Sequence, residues 1–218
     1  MRIAIGDIHG RPYWKNYLDK DFTEFYILGD YFDGYPASFA KEYQNFKEIC
    51  EAARSDPRLK LCLGNHDYHY LNLSGVPLQR YSRFQDRHCR AINEILEQNI
   101  DMLKIIYVTD DKYIISHAGL SNVFFERMRS TGIKNIEEIN EAFKRSRGIL
   151  AFNGYDIYGD DPSQSPIWIR PESLIDNPVP GLNQIVGHTQ FDDKTVIERG
   201  GIKLIFIDTG EKESVYEF

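Results

Sequence analysis

Met1-Arg2-Ile3-Ala4-Ile5-Gly6-Asp7-Ile8-His9-Gly10 opens the chain. It is a short apolar run that stops on a glycine and then presents a carboxylate and an imidazole two positions apart. The shape recurs twice. The run Phe25 to Leu28 leads into Gly29-Asp30-Tyr31-Phe32-Asp33-Gly34, and Leu59 to Leu63 leads into Gly64-Asn65-His66-Asp67. Apolar runs of this length bounded by glycine and polar clusters read as buried strands. Between them lie helical patterns. Pro12 and Pro36 each stand where a first helical residue belongs. The helix expected from near Pro36 places Phe39, Tyr43, Phe46, Cys50 and Ala53 on one apolar stripe, and Asp56-Pro57 stops it. Strand, helix, strand, helix, strand implies parallel pairing through crossover helices.

Further along, the runs Ile105 to Val108, Tyr113 to Ile115, Ile185 to Val186 and Leu204 to Ile207 read as additional strands. Residues 78–102 carry Ile92, Ile95 and Leu96 at helical spacing. Asn135 and Glu138 form a capping-box-like pair that opens a helix over 135–148. The stretch 151–166, with Gly154, Gly159, Pro162, Ser163, Ser165 and Pro166, reads as a turn-rich surface segment. Gly200-Gly201 reads as a hairpin turn. There is no internal repeat or low-complexity linker. The expectation is a single α/β domain over 1–218 with helical and loop insertions at about 68–104 and 121–166.

The 218 residues include 26 Lys and Arg, 33 Asp and Glu and six His, a formal net charge of −7. That balance argues against sequence-blind binding to nucleic acid or an anionic membrane, both of which reward a basic face. It does not exclude an anionic substrate if metals supply the positive charge. Cys50, Cys62 and Cys89 are odd in number and stand in no CxxC spacing, which fits thiols in a reducing compartment. The N-terminus has no basic segment with a small-residue cleavage site, and no apolar run approaches the ~20 residues of a membrane span. These features lead to the expectation of a soluble, cytoplasmic protein.

The chemistry gathers where the strands end. Ligands of α/β sheets bind in the crevice outside the carboxyl ends of the strands, and five such edges here deliver Asp, His and Asn. Asp7 and His9 are two apart, so in extended chain both side chains face one way and can grip one cation. Imidazole with carboxylate and amide oxygen suits Mn, Fe or Zn, and lacks the thiolates of a structural zinc site. Asp30, with two oxygens, can bridge two ions about 3.5–4 Å apart.

The series GDIHG, GDYFDG, GNHD, SHAG, GHT resembles the phosphoprotein phosphatases of the calcineurin-like metallophosphoesterase superfamily. The likeness is to the bacterial and bacteriophage-type serine/threonine members in particular, and to the related diadenosine tetraphosphatases. The resemblance runs from Asp7 to Thr189. It implies a four-layer αββα sandwich with two mixed sheets and a dinuclear site. It also implies two divalent ions, Mn first, with Fe, Zn or Ni as alternatives. By position, Asp7 and His9 hold the first ion, Asp30 bridges, and Asn65, His117 and His188 complete the second; His66 is the general acid and Asp33 its orienting carboxylate. The implied reaction is hydrolysis of a phosphate monoester, on phosphoserine or phosphothreonine protein or a small phosphoester, by in-line attack of a metal-bridging hydroxide. His69 and His88 match no motif, and surface or helix-face positions are expected for them.

The sequence departs from its relatives in informative places. The position after Asp33, where many relatives carry a phosphate-clamping Arg, is Gly34, and Leu63 stands where eukaryotic members often place Arg before the third motif. Ile167-Trp168-Ile169-Arg170 resembles the bacterial Leu-Trp-x-Arg segment, which makes Arg170 the candidate phosphate ligand, with Arg11 a second. Gln190 replaces the second histidine of the Gly-His-x-His found in superfamily diesterases, and so favours the phosphatase branch. The alternatives are a nucleoside polyphosphate hydrolase of the diadenosine tetraphosphatase type and a non-catalytic binding relative. The oligomeric state is not legible.

Overall fold

A computed structural model describes residues 1–71, 83–153, 158–210 and 212–218. Gly154 of the expected turn-rich stretch, and residues 78–82 of the expected helical stretch, lie outside them. In chain order the strands are Arg2–Ile5 (β1), Glu24–Ile27 (β2), Leu59–Cys62 (β3), Leu103–Lys104 (β4), Ile106–Val108 (β5), Tyr113–Ser116 (β6), Asn183–Val186 (β7), Thr195–Arg199 (β8), Ile202–Phe206 (β9) and Val215–Glu217 (β10). The α-helices are Phe39–Ser55 (α1), Asn65–Tyr68 (α2), Cys89–Gln98 (α3), Asn122–Ser130 (α4), Glu138–Arg145 (α5) and Pro171–Asp176 (α6). The architecture is α/β with two mixed five-stranded sheets, as expected. No helix among the described residues is long and apolar enough to cross a membrane.

The chain forms two compact units. The first comprises Met1–Leu103 with Val215–Phe218. Its sheet has the order β10-β1-β2-β3-β4, with β1, β2 and β3 parallel and β10 antiparallel to β1. The parallel strands are apolar on both faces, with Ile3, Ile5, Phe25, Ile27 and Leu61 buried. Their carboxyl ends stand side by side, so the motifs that follow emerge at one edge. The second unit is Lys104–Ser214. Its sheet runs β5-β6-β7-β9-β8 with β6, β7 and β9 parallel, so the residues after β6 and β7 again emerge at neighbouring ends. Ala118, Ile169, Leu174, Val186, Leu204 and Phe206 pack its core.

The hairpin at Gly200-Gly201 joins β8 and β9 with Arg199 paired to Ile202, and both glycines have positive φ, +58° and +80°, as a two-residue primed turn requires. Asn135 and Glu138 cap α5 reciprocally: Asn135 Oδ1 accepts the Glu138 N–H and Asn135 Nδ2 donates to Glu138 Oε1, both at 3.1 Å. Other expectations need correction. Pro12 opens a 3₁₀ segment, Pro12–Tyr17, rather than an α-helix. Helix α1 starts at Phe39, not Pro36, and ends at Ser55 just before Asp56-Pro57. Its buried stripe is Glu42, Asn45, Phe46, Ile49 and Cys50, while Phe39 and Tyr43 are half-buried. The stripe turns because two of its positions serve backbone groups near the strand ends. Asn45 accepts from Trp14 Nε1 and donates to the Arg11 carbonyl, and Glu42 accepts the Gly34 N–H at 2.6 Å.

Candidate metal centre and phosphate site

In the first unit the motifs hold one another through backbone. The N–H groups of Ile8, His9 and Gly10 donate to the carbonyls of Gly29, Asp30 and Tyr31. Asp67, fully buried, accepts N–H groups from Asp30 (2.9 Å), Tyr31 (2.8 Å) and Gly64 (3.0 Å), pinning the second motif to the third. Several site residues adopt backbone that non-glycine residues avoid: φ is +44° at His9, +51° at Asp30 and +64° at Asp33. Such strain survives only where surrounding bonds over-determine it, and it concentrates at functional sites.

His9 is set as a ligand. Its Nδ1 lies 2.7 Å from the Phe32 carbonyl, which can only accept, so Nδ1 carries the proton and Nε2 presents its lone pair. Nε2 stands 3.9 Å from Asp7 Oδ2 and 3.8 Å from Asp30 Oδ2. Burial drives the ring pKa down to about 4 against the opposing pull of Asp7, so the imidazole is neutral at pH 7. A lone pair directed at two buried carboxylates repels both, and a cation turns the same arrangement into a coordination set. Donor separations below 4 Å fit ligands that each reach one ion at about 2.0–2.2 Å. Burial, reinforced by Asp7, pushes Asp30 well above the usual carboxylate range despite nearby His66. Asn65, 3% exposed, begins α2 directly after β3.

His66 follows Asn65. Its backbone N–H donates to Asp30 Oδ1 at 2.9 Å and its Nδ1 meets Asp33 Oδ2 at 2.9 Å. With Nδ1 committed to the carboxylate, Nε2 is the nitrogen available to a substrate. Burial opposes protonation of this ring, but Asp30 and Asp33 outweigh burial and raise its pKa. The ring lies 5.4 Å from that of His9, centroid to centroid, so the candidate acid adjoins the candidate ligands.

Gly34 has its own reason to be glycine. A Cβ there collides with the carbonyl oxygen of His9. No side chain, arginine included, fits this position while the first motif keeps its path. Arg11 is turned toward backbone. Its Nη2 donates to the Asp7 carbonyl at 2.5 Å and its Nε to the Ile8 carbonyl at 3.1 Å, which holds the first motif's backbone.

In the second unit His117 and His188 converge. His117 Nε2 lies 3.2 Å from His188 Nδ1, and the Gly187 N–H donates to the His117 carbonyl at 2.8 Å. His188 also has a left-handed backbone, φ +64°. The Trp168 ring packs edge-on against it with centroids 6.2 Å apart. Arg170 donates through Nε to the Tyr158 carbonyl at 2.9 Å and through Nη1 to the Thr189 hydroxyl at 3.1 Å, so the guanidinium is seated one residue from His188. The side chain of Gln190 lies against Gly210.

The calcineurin-like phosphoesterase family model matches residues 2–207. The chain belongs to this family. Its members are metal-dependent hydrolases of phosphorylated substrates, and the grouped carboxylates and imidazoles supply candidate metal ligands. No curated protein matches the chain in sequence. Among solved structures it is similar to the cold-active protein-tyrosine phosphatase of a psychrophilic Shewanella species, at 17% identity and TM-score 0.63, over 95% of this chain and 70% of that one. It is also similar to a protein serine/threonine phosphatase from Saccharomyces cerevisiae, at 14% identity and TM-score 0.55, over 95% and 67%. At these identities the likeness is one of fold.

Sequence reasoning missed several residues of the site. His69, expected on a surface or helix face, is 2% exposed and places Nε2 2.8 Å from Asp33 Oδ2. Tyr70 donates to Asp33 Oδ1 at 2.5 Å, and Gln85 Nε2 reaches the same oxygen at 3.1 Å. The signal for His69 was its i, i+3 spacing from His66, which puts both rings on one face of a helical turn. Nothing in the sequence marked Gln85. His88 behaves as expected, half-buried and stacked on Phe39 with centroids 4.0 Å apart.

Proposed function

We propose that this protein is a dinuclear metal-dependent phosphatase acting on phosphate monoesters, phosphoserine or phosphothreonine proteins or small phosphoesters. In this reading, which follows the motif order of the chain, Asp7, His9, Asp30, Asn65, His117 and His188 are the ligands of two divalent ions, manganese first. The observation that carries it is the His9 tautomer: Nδ1 spent on Phe32, Nε2 presented to Asp7 and Asp30. The two facing imidazole nitrogens of His117 and His188 support the same reading. When bound, such ions supply positive charge to the phosphoryl oxygens and acidify water near neutral pH.

The chain's own groups do the rest. Asp33 fixes His66 with Nδ1 protonated and, with Asp30, favours the protonated ring, whose second proton sits on Nε2. That proton goes to the departing alkoxide, which is a poor leaving group without it. Arg170, held by Tyr158 and Thr189, binds a non-bridging phosphate oxygen through the guanidinium hydrogens those contacts leave over. Gln190 in place of a ligand histidine favours monoesters over diesters.

The test is a panel assayed with added Mn, with and without chelator: phenyl phosphate, bis(p-nitrophenyl) phosphate, a phosphoserine peptide and diadenosine tetraphosphate. The proposal expects chelator-sensitive cleavage of phenyl phosphate and the peptide ahead of the diester. Faster cleavage of the dinucleotide than of either monoester reassigns the substrate, and no cleavage of any leaves a binding protein.

A further inference from the structure

The segment after β7 turns back within three residues. The Thr189 N–H donates to the Gly187 carbonyl at 2.7 Å, and His188 between them has φ +64°. A γ-turn with positive φ is rare and strained, and the bond from the Gly187 N–H to the His117 carbonyl helps to hold it. The turn fixes Thr189 as firmly as it fixes His188. Thr189 Oγ1 accepts from Arg170 Nη1 at 3.1 Å, and Arg170 Nε donates to the Tyr158 carbonyl at 2.9 Å. That carbonyl has little freedom. The next residue, Gly159, has φ +80° and packs so closely that a Cβ would stand 3.2 Å from both the Phe152 ring and the Trp168 carbonyl oxygen.

A threonine hydroxyl has one hydrogen to give and lone pairs that accept. At Thr189 Arg170 takes a lone pair, and among the described residues no group accepts the hydrogen. Donation from a guanidinium polarises the hydroxyl and makes its hydrogen a better donor. Both side chains are half-buried, so a ligand from solvent can reach them. A cation beside an unspent O–H, both on braced backbone, is a seat for a charged oxygen.

We infer that Thr189 binds substrate phosphate directly, giving its hydroxyl hydrogen to a non-bridging oxygen that Arg170 also reaches, and that this pair selects monoesters over diesters. This rests on the reading of Arg170 as the phosphate ligand of a phosphatase. A monoester carries three charged non-bridging oxygens. A diester carries two, and an ester oxygen with its substituent fills the third place. Donors aimed at that place gain a charge-assisted bond with a monoester and meet a bulkier, weaker acceptor in a diester.

The experiment uses the Mn-loaded full-length protein with p-nitrophenyl phosphate and bis(p-nitrophenyl) phosphate, a monoester and a diester that share one leaving group. Calorimetry of inorganic phosphate gives a readout independent of turnover. Thr189→Val keeps the shape and removes the hydroxyl, while Thr189→Ser keeps the hydroxyl. Thr189→Val is expected to raise KM for the monoester and Kd for phosphate about tenfold, the scale of one hydrogen bond to a charged group, with the diester kcat/KM changed less than about threefold and Thr189→Ser close to the parent. Added to Arg170→Ala, Thr189→Val is expected to weaken phosphate binding at least about threefold further, which a residue acting only through Arg170 cannot do. Equal losses on both esters, parent-like values in Thr189→Val, or no further loss in the Arg170→Ala background each overturn the inference. If Thr189→Val does not fold, Thr189→Ala carries the same comparison with the same outcomes. The parent and Arg170→Ala separate the two levels. Phosphate binding unchanged in Arg170→Ala refutes that arginine as the phosphate ligand and overturns the inference with it, as does a parent that binds no phosphate. A loss in Arg170→Ala without one in Thr189→Val overturns the role of Thr189 alone. A parent that binds phosphate and cleaves neither ester refutes the phosphatase reading, and the phosphate affinities of the variants still decide whether Thr189 binds the anion.

Discussion

At the strand ends of the first unit carboxylates dominate the buried polar groups: Asp7, Asp30, Asp33 and Asp67, with Glu42 reaching in from α1, beside Asn65 and His69. In the second unit Asp208 is the one buried carboxylate among the described residues, and imidazoles, amides and hydroxyls occupy the ends of β6 and β7. Within the first unit a second distinction follows from what each carboxylate faces. Asp67, Glu42 and Asp33 are surrounded by N–H and O–H donors and act as structure. Asp7 and Asp30 turn an oxygen toward the lone pair of His9 at 3.9 and 3.8 Å, beyond hydrogen-bond reach. Burial alone therefore does not mark a ligand. The direction of the surrounding hydrogens does.

The largest test contrasts Asp30 with Asp67. Asp30→Asn is expected to lower metal-dependent turnover by more than about 100-fold, beyond the cost of losing an outer-shell partner, and to raise the thermal midpoint of the metal-free protein at pH 7. Its folded pKa is raised, so the native state binds the extra proton between the unfolded and folded values and is destabilised as pH rises through that window. The advantage of the variant therefore shrinks as the pH falls toward the ordinary carboxylate value. Asp67→Asn is expected to do the opposite, losing about 2–4 kcal/mol in chemical denaturation because three buried N–H groups lose a charged acceptor. Same-direction shifts in the two variants would break the distinction.

Next in size is His66→Asn, expected to lose about 10²–10³-fold in kcat on alkyl phosphates with metal content intact by elemental analysis. For the second unit, Arg170→Ala is expected to raise KM for monoesters about tenfold with a smaller change in kcat, and Arg170→Lys to recover little, because an ammonium cannot reproduce the two directed bonds to Tyr158 and Thr189. Gly34→Arg, which restores a side chain many relatives carry, is expected to lower thermal stability and leave phosphate affinity no better, since its Cβ meets the His9 carbonyl. The smallest effect belongs to His88→Ala, a half-buried ring on Phe39, within about 0.5 kcal/mol in stability and without effect on turnover.

Much of this arrangement was legible in the chain. Apolar runs closed by glycine and polar residues located β1, β2, β3, β6 and β7 and the candidate ligands after them, because a parallel strand buried on both faces leaves a continuous apolar trace. Gly200-Gly201 was legible because only a primed turn needs two positive φ angles. The three-residue β10 was not, since its pairing with β1 joins the two ends of the chain and leaves no local pattern. Glu42 and Asn45 were missed because a reading of helix periodicity counts apolar positions, and these two are buried to satisfy loops rather than to pack. The reason for Gly34 was likewise invisible. It depends on the path of His9, which no neighbouring residue encodes.

The central claim is that His9, Asp7 and Asp30 are arranged for a cation and not for one another. Manganese titration of the chelator-treated full-length protein, followed by calorimetry and by phenyl phosphate hydrolysis on the same samples, tests it most directly. The account predicts two ions bound per chain, turnover rising with their occupancy, and both ions retained in His66→Asn while its turnover is lost. Absence of manganese binding, or hydrolysis indifferent to the chelator, would contradict it.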